Sequence, residues 1–227
     1  MIHALLFDFD GLILDTEEPE FQTWQEVYAE HNAHLPLEQW ANAIGSGIDS
    51  FDVYGYLEAQ IGRAIQREDI AVRRRERNRE LLALKTVLPG VETYLVEAKR
   101  LGLKRAVASS SSRAWVTDHL SRLGLLDSFD YLRCGDEVTH KKPHPELYLD
   151  VLKEFGITGD QAIVLEDSPN GVRAAQAAGI FCVAIPNVVT GQLPLDHADL
   201  RLVSMADMPL EKLIALVESR EKQVQVQ

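Results

Sequence analysis

Two aspartates follow the first apolar segment of the chain, residues 2–7, in the order Asp8-Phe9-Asp10-Gly11. Because side chains alternate along an extended chain, both carboxylates point to the same side. Adjacent carboxylates repel each other unless a cation or a proton neutralises them, so the pair indicates a metal site, a proton-sharing pair, or both. The same residues also suit an ordinary surface turn, since Asp and Gly are good turn formers.

A serine cluster, Ser109 to Ser112, lies between a predicted strand and a predicted helix. Its hydroxyl groups and consecutive backbone amides precede a helix N-terminus, which is a favourable place for an anion. Capping of the helix by a single serine explains Ser111 or Ser112, but it does not require Ser109 at the strand end. The cluster therefore predicts an anion-binding loop as well as a helix cap.

A basic segment, His140-Lys141-Lys142-Pro143, precedes another predicted helix. A cation held in such a loop would neutralise negative charge that develops on a phosphoryl group. Neighbouring lysines are more often solvated surface residues, and this segment alone leaves that alternative open.

A second acidic pair, Glu166-Asp167, follows the apolar segment 162–165 and precedes Ser168. Carboxylates at the end of a buried strand suit Mg²⁺, which takes oxygen ligands, retains several waters and contacts substrate phosphate. Helix capping by Asp167 or Ser168 explains one of these residues, but it does not explain both acids. The pair therefore predicts further ligands for a magnesium site.

Short apolar segments that alternate with helical ones must position these groups. The apolar segments resemble strands buried on both faces and span 2–7, 104–108, 131–134, 162–165 and 181–185; the helical segments between them span 91–101, 113–123, 145–155 and 169–178. This alternation predicts an α/β fold with a doubly wound parallel sheet, whose active site lies beyond the carboxyl ends of the strands.

Residues 17–84 interrupt the alternation, because they have helical patterns and no convincing buried strand. We predict an inserted helical cap over 17–84 and a catalytic core built from 1–16 and 85–227. An insert that leaves the core directly after the first strand can close over the site that this strand presents. The arginine-rich segment 73–79 reads as a helix whose charges face mostly water, and a role in the entry of an anionic substrate stays open.

The composition argues against several classes of protein. The 227 residues carry a formal net charge of −12, which disfavours nucleic-acid and anionic-membrane partners. No apolar segment approaches the ~20 residues of a membrane span, and no signal-type region precedes Asp8, so we expect a cytoplasmic protein. Cys134 and Cys182 are far apart in predicted strands and lack the spacing of a zinc or redox site.

Four motifs occur along nearly the whole chain in the order and at the spacing of a known family. They are DFDGLILDTE, ASSSSR, KKPHPELY and LEDSPNGVRAA. With them the chain resembles the haloacid dehalogenase superfamily, within it the group that is similar to beta-phosphoglucomutase and phosphoglycolate phosphatase. The resemblance implies a Rossmann-like core, a helical cap, Mg²⁺ and an aspartyl-phosphate intermediate.

The resemblance also implies catalytic and phosphate-binding roles by motif position. Asp8 is the expected nucleophile, and Asp10 is the expected general acid and base. Ser109, the backbone amide of Ser110 and Lys142 are expected to bind the phosphoryl oxygens. Lys142 is preferred to its neighbour because it directly precedes proline, as the family lysine does.

The implied magnesium ligands come from the two acidic motifs. They are the carboxylates of Asp8 and Asp167 and the backbone carbonyl of Asp10, with Glu166 bound directly or through water. The expected substrate is a small phosphorylated metabolite, and the chain is expected to be a monomer or a small homo-oligomer.

Two departures from the mutases favour hydrolysis over isomerisation. Glu20 stands where beta-phosphoglucomutases have a histidine, and its negative charge would repel a second phosphate. The segment 45–48 lacks the arginine with which the mutases hold the phosphate that is not transferred. We therefore expect a phosphatase acting on a small phosphomonoester such as a sugar phosphate. The alternatives are a sugar phosphomutase, a haloacid dehalogenase and a binding protein with an inactive site.

Overall fold

A computed structural model describes residues 1–46 and 51–224. Within these residues the strands are β1 (Ala4–Phe7), β2 (Lys104–Ser109), β3 (Tyr131–Cys134), β4 (Ala162–Glu166), β5 (Phe181–Ala184) and β6 (Leu200–Arg201). The α-helices are α1 (Glu17–Glu30), α2 (Leu37–Ser46), α3 (Val53–Ile61), α4 (Arg67–Leu84), α5 (Val91–Arg100), α6 (Arg113–Arg122), α7 (Glu146–Phe155), α8 (Pro169–Ala177) and α9 (Leu210–Val224). None of the helices in the described ranges combines the length and apolar composition needed to cross a bilayer.

The strands form one parallel sheet in the order β3-β2-β1-β4-β5-β6. β1 lies between β2 and β4, with Leu6 paired to Ala106 on one side and Val164 on the other. The predicted α/β class with a parallel sheet is confirmed. The edge strand β6 was not predicted, because two residues are too few to carry a periodic signal.

Both faces of the sheet are buried, and the alternation of side chains assigns each residue of β1 to one face. Leu5 and Phe7 pack with residues of α5, α6 and α9, whereas Ala4 and Leu6 pack with residues of α7 and α8. Removing a large apolar side chain from water stabilises the fold by about 1.5–3 kcal/mol. The central strand is therefore anchored from both sides, and its carboxyl end is held at a fixed position.

Helices α1 to α4 form a hydrophobic cluster of their own. Its buried members include Trp24, Tyr28 and Leu57, and the loop after β5 contributes Val189 and Leu193. The guanidinium groups of α4 lie on the outside of this cluster or against α1, since only Ile70 and Leu82 of that helix are buried. The four helices thereby pack against the loop that follows β5.

Candidate active site

The strands β1, β2 and β4 end side by side, and each brings a polar residue to that edge of the sheet. Asp8 follows β1, Ser109 ends β2 and Asp167 follows β4. All three are buried, and the backbone amide of Asp8 donates to the carbonyl oxygen of Leu165 at 3.0 Å. Open α/β sheets bind their ligands beyond the carboxyl ends of the strands, so this edge is the candidate active site.

Three carboxylates and one ammonium group meet at the strand ends. Asp8, Glu166 and Asp167 each offer a carboxylate oxygen, and these oxygens lie within 4.8 Å of one another. The Lys142 Nζ atom donates to Asp8 Oδ1 at 2.5 Å and to Glu166 Oε1 at 2.6 Å. The Lys142 side chain is only 5% exposed, so its charge is directed at these two acids rather than at solvent.

The cluster carries more negative charge than Lys142 balances. Burial raises the pKa of Asp8 to about 8; Lys142 opposes this shift, whereas Glu166 adds to it. Burial and the neighbouring Asp8 raise the pKa of Asp167 well above its usual range. Mg²⁺ takes oxygen ligands and would supply the missing positive charge, so the donor set fits such a cation.

The carboxylate of Glu166 is held from every side. Its Oε1 atom accepts from Lys142 and from the Tyr148 hydroxyl at 2.6 Å, and its Oε2 atom accepts from the Ser168 hydroxyl at 3.3 Å. A Cβ atom at Gly171 would lie 1.8 Å from the carboxyl carbon of Glu166, so only glycine leaves room for this carboxylate. Glu166 is thus fixed in place and fixes Lys142 in turn.

Asp10 is fixed by three donors. Its Oδ2 atom accepts from the hydroxyls of Ser111 at 2.7 Å and Ser109 at 3.3 Å. Its Oδ1 atom accepts from the indole nitrogen of Trp115 at 2.8 Å. Trp115 in turn packs edge-on against His119, with ring centroids 4.2 Å apart. The carboxylate of Asp10 therefore has a defined orientation beside Asp8.

The serines of the loop 109–112 make different contacts. The Ser112 hydroxyl caps α6 by accepting from the backbone nitrogen of Trp115 at 3.3 Å, as helix capping predicts. The Ser109 hydroxyl accepts from the backbone nitrogen of Ser111 at 3.0 Å, which folds the loop back over the strand end. Ser109 and Ser110 both line the cavity in front of Asp8.

Gly11 allows the chain to turn tightly against Asp167. Its φ is +80°, a conformation that side chains with a Cβ atom rarely adopt. A Cβ atom there would lie 2.3 Å from Asp167 Oδ2 and 2.6 Å from the Asn187 side-chain nitrogen. That nitrogen donates to Asp167 Oδ2 at 2.9 Å, so Asn187 orients the carboxylate that Gly11 leaves room for.

A cavity of about 620 Å³ opens in front of these groups. Its walls on the side of the sheet include Asp8, Asp10, Ser109, Ser110, Ser111, Trp115, Lys142 and Asp167. Its walls on the side of α1, α2 and α4 include Glu17, Glu20, Trp40, Asn78 and Leu82. Burial raises the pKa of Glu17 to about 8, and the negative charge of Asp10 adds to the shift.

Glu20 is not the uncompensated negative charge that its position in the sequence indicates. Its Oε1 atom accepts from Arg74 at 2.5 Å and its Oε2 atom accepts from the Asn78 side chain at 3.0 Å. The expectation that Glu20 repels a second phosphate assumed an unpaired carboxylate. That assumption is wrong, because the guanidinium group of Arg74 in α4 pairs with the carboxylate of Glu20 in α1. Gly47 and Ile48, which belong to the segment without the mutase arginine, lie outside the described residues.

The motifs and this geometry agree with a family of enzymes. The sequence model of the haloacid dehalogenase-like hydrolases matches residues 5–185. The chain belongs to this family. The match runs from β1 to the end of β5 and includes all four motifs.

Curated relatives and solved structures match this haloacid dehalogenase-like hydrolase over most of its length. A Bacillus subtilis (strain 168) protein named "Putative phosphatase YhcW" is 46% identical and covers 97% of this chain and all of its own length. The "Phosphorylated carbohydrates phosphatase" of Thermotoga maritima is 31% identical and covers 79% of this chain and 82% of its own. The crystal structure of CbbY from Rhodobacter sphaeroides in complex with phosphate has a TM-score of 0.68 at 30% identity, covering 91% of this chain and 96% of its own.

The structure adds contacts that the sequence motifs did not predict. Ser111, Trp115, Tyr148 and Asn187 all contact the acidic residues of this hydrolase. The sequence could have indicated Asn187, because this polar residue follows β5 and so lies at the same edge of the sheet as the motif residues. By contrast, His140 is exposed and pairs with Glu146, so the basic segment contributes Lys142 to the cluster but not its histidine.

Proposed function

We propose that this chain is a magnesium-dependent phosphatase that hydrolyses a small phosphomonoester through an aspartyl phosphate on Asp8. The observation that carries the proposal is the placement of Asp8, Asp10 and Lys142 around one cavity at the end of the central strand. The relatives that are named phosphatases support the same reaction class.

Asp8 is the proposed nucleophile in the first half-reaction. A carboxylate oxygen of Asp8 forms a bond to phosphorus while the bond from phosphorus to the leaving oxygen breaks on the opposite side. Asp10 gives its proton to that leaving oxygen, so the product departs as a neutral alcohol.

Asp10 also serves the second half-reaction. It takes a proton from water, and the water oxygen attacks phosphorus as the bond to Asp8 breaks. This releases inorganic phosphate, restores the Asp8 carboxylate and returns the proton to Asp10. Its hydrogen bonds to Ser111 and Trp115 set the direction from which it approaches the reacting oxygen.

The phosphoryl oxygens are proposed to bind the Ser109 hydroxyl, the backbone amide of Ser110 and the Lys142 ammonium group. These groups come from β2, the serine loop and the loop before α7, and all three residues line the cavity. Fixed donors of this kind stabilise charge in the transition state because they need no reorganisation.

The proposed magnesium ligands are the carboxylates of Asp8 and Asp167 and the backbone carbonyl of Asp10. Bound there, Mg²⁺ would neutralise the crowded carboxylates and polarise the phosphoryl group. Glu166 already accepts hydrogen bonds on both oxygens, which favours an indirect role for it through Lys142 or water. Asn187 would keep Asp167 in the ligating orientation.

We propose the division into a core, residues 1–16 and 85–227, and a cap, residues 17–84. The hydrophobic cluster of α1 to α4 supports it, since Val189 and Leu193 are the only buried members of that cluster, among the described residues, that come from the core. The position of Glu17 and Asn78 across the cavity from Asp8 supports it as well. A cap that opens and closes there would admit substrate and exclude bulk water during transfer. We further propose that the enzyme acts in the cytoplasm on a phosphorylated metabolite, as a monomer or a small homo-oligomer.

A sugar phosphomutase is the second candidate. A mutase must retain a bisphosphate between its two half-reactions, and the neutralisation of Glu20 by Arg74 removes one obstacle to that. We still favour hydrolysis, and a single sample tests both reactions. With beta-glucose 1-phosphate and Mg²⁺, phosphate release without formation of glucose 6-phosphate supports the phosphatase, and faster isomerisation supports the mutase.

A panel of phosphorylated metabolites tests the proposed function itself. Phosphate release is measured with Mg²⁺ for the wild-type chain and for Asp8→Asn, which keeps the shape of the side chain but removes the nucleophile. Release by the wild type alone supports the proposal. The absence of release from every compound, or equal release by Asp8→Asn, contradicts it.

A further inference from the structure

A second cavity, of about 340 Å³, lies beside the catalytic cavity. Residues of α4 and α6 form its walls, together with Glu20 of α1. The two cavities share Glu20, Asn78, Leu82 and Trp115, so they adjoin each other at these side chains.

This second cavity is strongly basic. Four arginines line it, namely Arg74, Arg75, Arg79 and Arg122. Glu20 is the one carboxylate among its described lining residues, and both of its oxygens are already bound by Arg74 and Asn78. Positive charge therefore exceeds negative charge at this place in a chain whose formal net charge is −12.

The arginines of α4 differ in whether a carboxylate balances their positive charge. Arg73 and Arg77, which do not line the cavity, pair with Glu30 and Glu26 of α1 at 3.0 Å. Among residues 1–41 and 51–220, whose side chains the structure describes, Arg75 and Arg79 make no ion pair with a carboxylate. Arg73, Arg74 and Arg77 thus pair with α1, whereas Arg75 and Arg79 line the cavity without such a partner.

Arg122 completes the set from α6. Its Nη1 atom donates to the carbonyl oxygen of Lys85 at 3.0 Å, and the described residues offer it no carboxylate. Its charge and the burial of the ring both lower the pKa of His119, with burial the larger cause. The Arg75 Nε atom likewise donates to a backbone carbonyl oxygen, that of Ala71, at 3.1 Å. Arg75, Arg79 and Arg122 therefore keep further N–H donors that no described carboxylate binds, and these donors suit an oxyanion, the ligand that the planar guanidinium fork matches best.

The wall that joins the two cavities suits the middle of an organic molecule. Leu82 is buried and Trp115 presents an indole ring, so both offer apolar surface to a carbon skeleton. Two buried polar atoms in the same region, Arg74 Nε and Asn78 Oδ1, have no partner within the described residues. A donor and an acceptor of this kind are suited to ligand hydroxyl groups.

We propose that the cavity between α4 and α6 binds a second anionic group, a phosphate or a carboxylate, on the substrate whose phosphomonoester reacts at Asp8. The inference rests on the proposed phosphatase function and specifies its substrate class as a polyhydroxylated compound with two anionic ends. Binding of the remote anion by Arg75, Arg79 and Arg122 orients the reacting phosphate and selects against compounds with a neutral end.

Three open-chain compounds of equal length test the proposal. Glucitol 6-phosphate has a neutral far end, 6-phosphogluconate has a carboxylate there, and glucitol 1,6-bisphosphate has a phosphate. Their kcat/KM values for phosphate release are compared among the wild type, the triple variant Arg75→Gln, Arg79→Gln, Arg122→Gln, and the control Arg73→Gln. Arg73 belongs to the same helix but lies outside the cavity and pairs with Glu30.

We expect the wild type and Arg73→Gln to prefer one of the two compounds with an anionic group at each end at least about tenfold, mainly through KM. The triple variant should lose this preference but keep its turnover of glucitol 6-phosphate. The favoured compound distinguishes a phosphate subsite from a carboxylate subsite. A preference that persists in the triple variant, or a wild type that has none, overturns the proposal.

A binding measurement separates this proposal from the proposed function. Calorimetric titration of the same compounds is carried out with Mg²⁺ on Asp8→Asn, with and without the three glutamine substitutions. If a compound with an anionic group at each end binds more tightly than glucitol 6-phosphate, and this difference depends on the three arginines, the subsite is supported even if the wild type releases no phosphate. Equal binding by both proteins, or no binding at millimolar concentration, overturns it.

Discussion

Single side chains of the site are held by contacts that leave little freedom. Lys142 bridges Asp8 and Glu166, Tyr148 and Ser168 close the remaining sides of Glu166, and Asn187 orients Asp167. Preorganised groups of this kind lower the cost of reaching the transition state, because they do not have to be reoriented when charge develops.

At this scale the sequence predicted the acids better than their partners. Asp8 and Asp167 could be assigned to one site because parallel strands end at the same edge of a sheet. Lys142 could be assigned because the resemblance implies a lysine directly before proline. The contacts of Tyr148 and Trp115 depend on how α7 and α6 pack against the sheet, and no local pattern encodes that packing. The chemical roles of the predicted residues stay predictions until they are measured.

Replacement of Trp115 by phenylalanine tests the orientation of Asp10. The change removes the indole N–H that donates to Asp10 Oδ1 at 2.8 Å and keeps an aromatic ring against His119. Since hydrogen bonds to charged groups contribute about 1.5–3 kcal/mol, we expect kcat to fall about tenfold or more with little change in KM.

Steady-state kinetics and thermal unfolding of Trp115→Phe check this prediction. Trp24→Phe is the control, because it removes an indole that makes no contact with Asp10. If kcat of Trp115→Phe stays at the wild-type value while the protein remains folded, the indole N–H does not position the acid.

Strand β1 and helix α1 face the same cavity from opposite sides. β1 is held by Leu5 and Phe7 on one face and by Ala4 and Leu6 on the other, so it presents Asp8 at a fixed position. Helix α1 faces the same cavity from the opposite side with Glu17 and Glu20. The sequence predicted five of the strands, because their apolar segments have clear boundaries, but β6 is too short to have a pattern and was missed.

Replacement of Glu17 by glutamine tests the burial of α1 against the cavity. The pKa of Glu17 in the folded chain is about 8, against 4.5 for an unperturbed glutamate, mainly because of burial. The folded state therefore holds a proton that the unfolded state loses between these values, so this group lowers stability as pH rises from about 4.5 to about 8. Glutamine does not ionise, so the stability of Glu17→Gln does not fall with pH for this reason.

The difference in melting temperature between Glu17→Gln and the wild type should consequently grow from pH 5 to pH 8 and stay constant above it. Measurements are made in a chelator, so that no metal ion adds charge to the cavity. Glu92→Gln, an exposed change in α5, should show no such trend. A difference that is independent of pH contradicts the burial of Glu17.

The whole molecule brings five acidic groups to one cavity from different parts of the chain. Asp8 and Asp10 follow β1, Asp167 follows β4, and Glu17 and Glu20 belong to α1. Lys142 compensates only part of this charge, and the pKa values of Asp8, Asp167 and Glu17 are raised as a result of burial and mutual repulsion. A divalent cation bound to these oxygen atoms would compensate the remaining negative charge.

Metal dependence is therefore expected of the intact enzyme. Chelation should abolish phosphate release, and added Mg²⁺ should restore it. Ca²⁺ should inhibit, because its larger radius and looser coordination disturb the in-line geometry of transfer. Full turnover in excess chelator would refute the proposed ligand role of Asp167.

The covalent intermediate is the most direct test of the proposed chemistry. The enzyme is mixed with a ³²P-labelled substrate and Mg²⁺, quenched in acid within the first turnover, and digested for peptide mapping. We expect acid-stable, hydroxylamine-sensitive label on the peptide that contains Asp8, formed no more slowly than phosphate is released, and none in Asp8→Asn. Rapid phosphate release without label on Asp8, or label on another residue, would contradict the account.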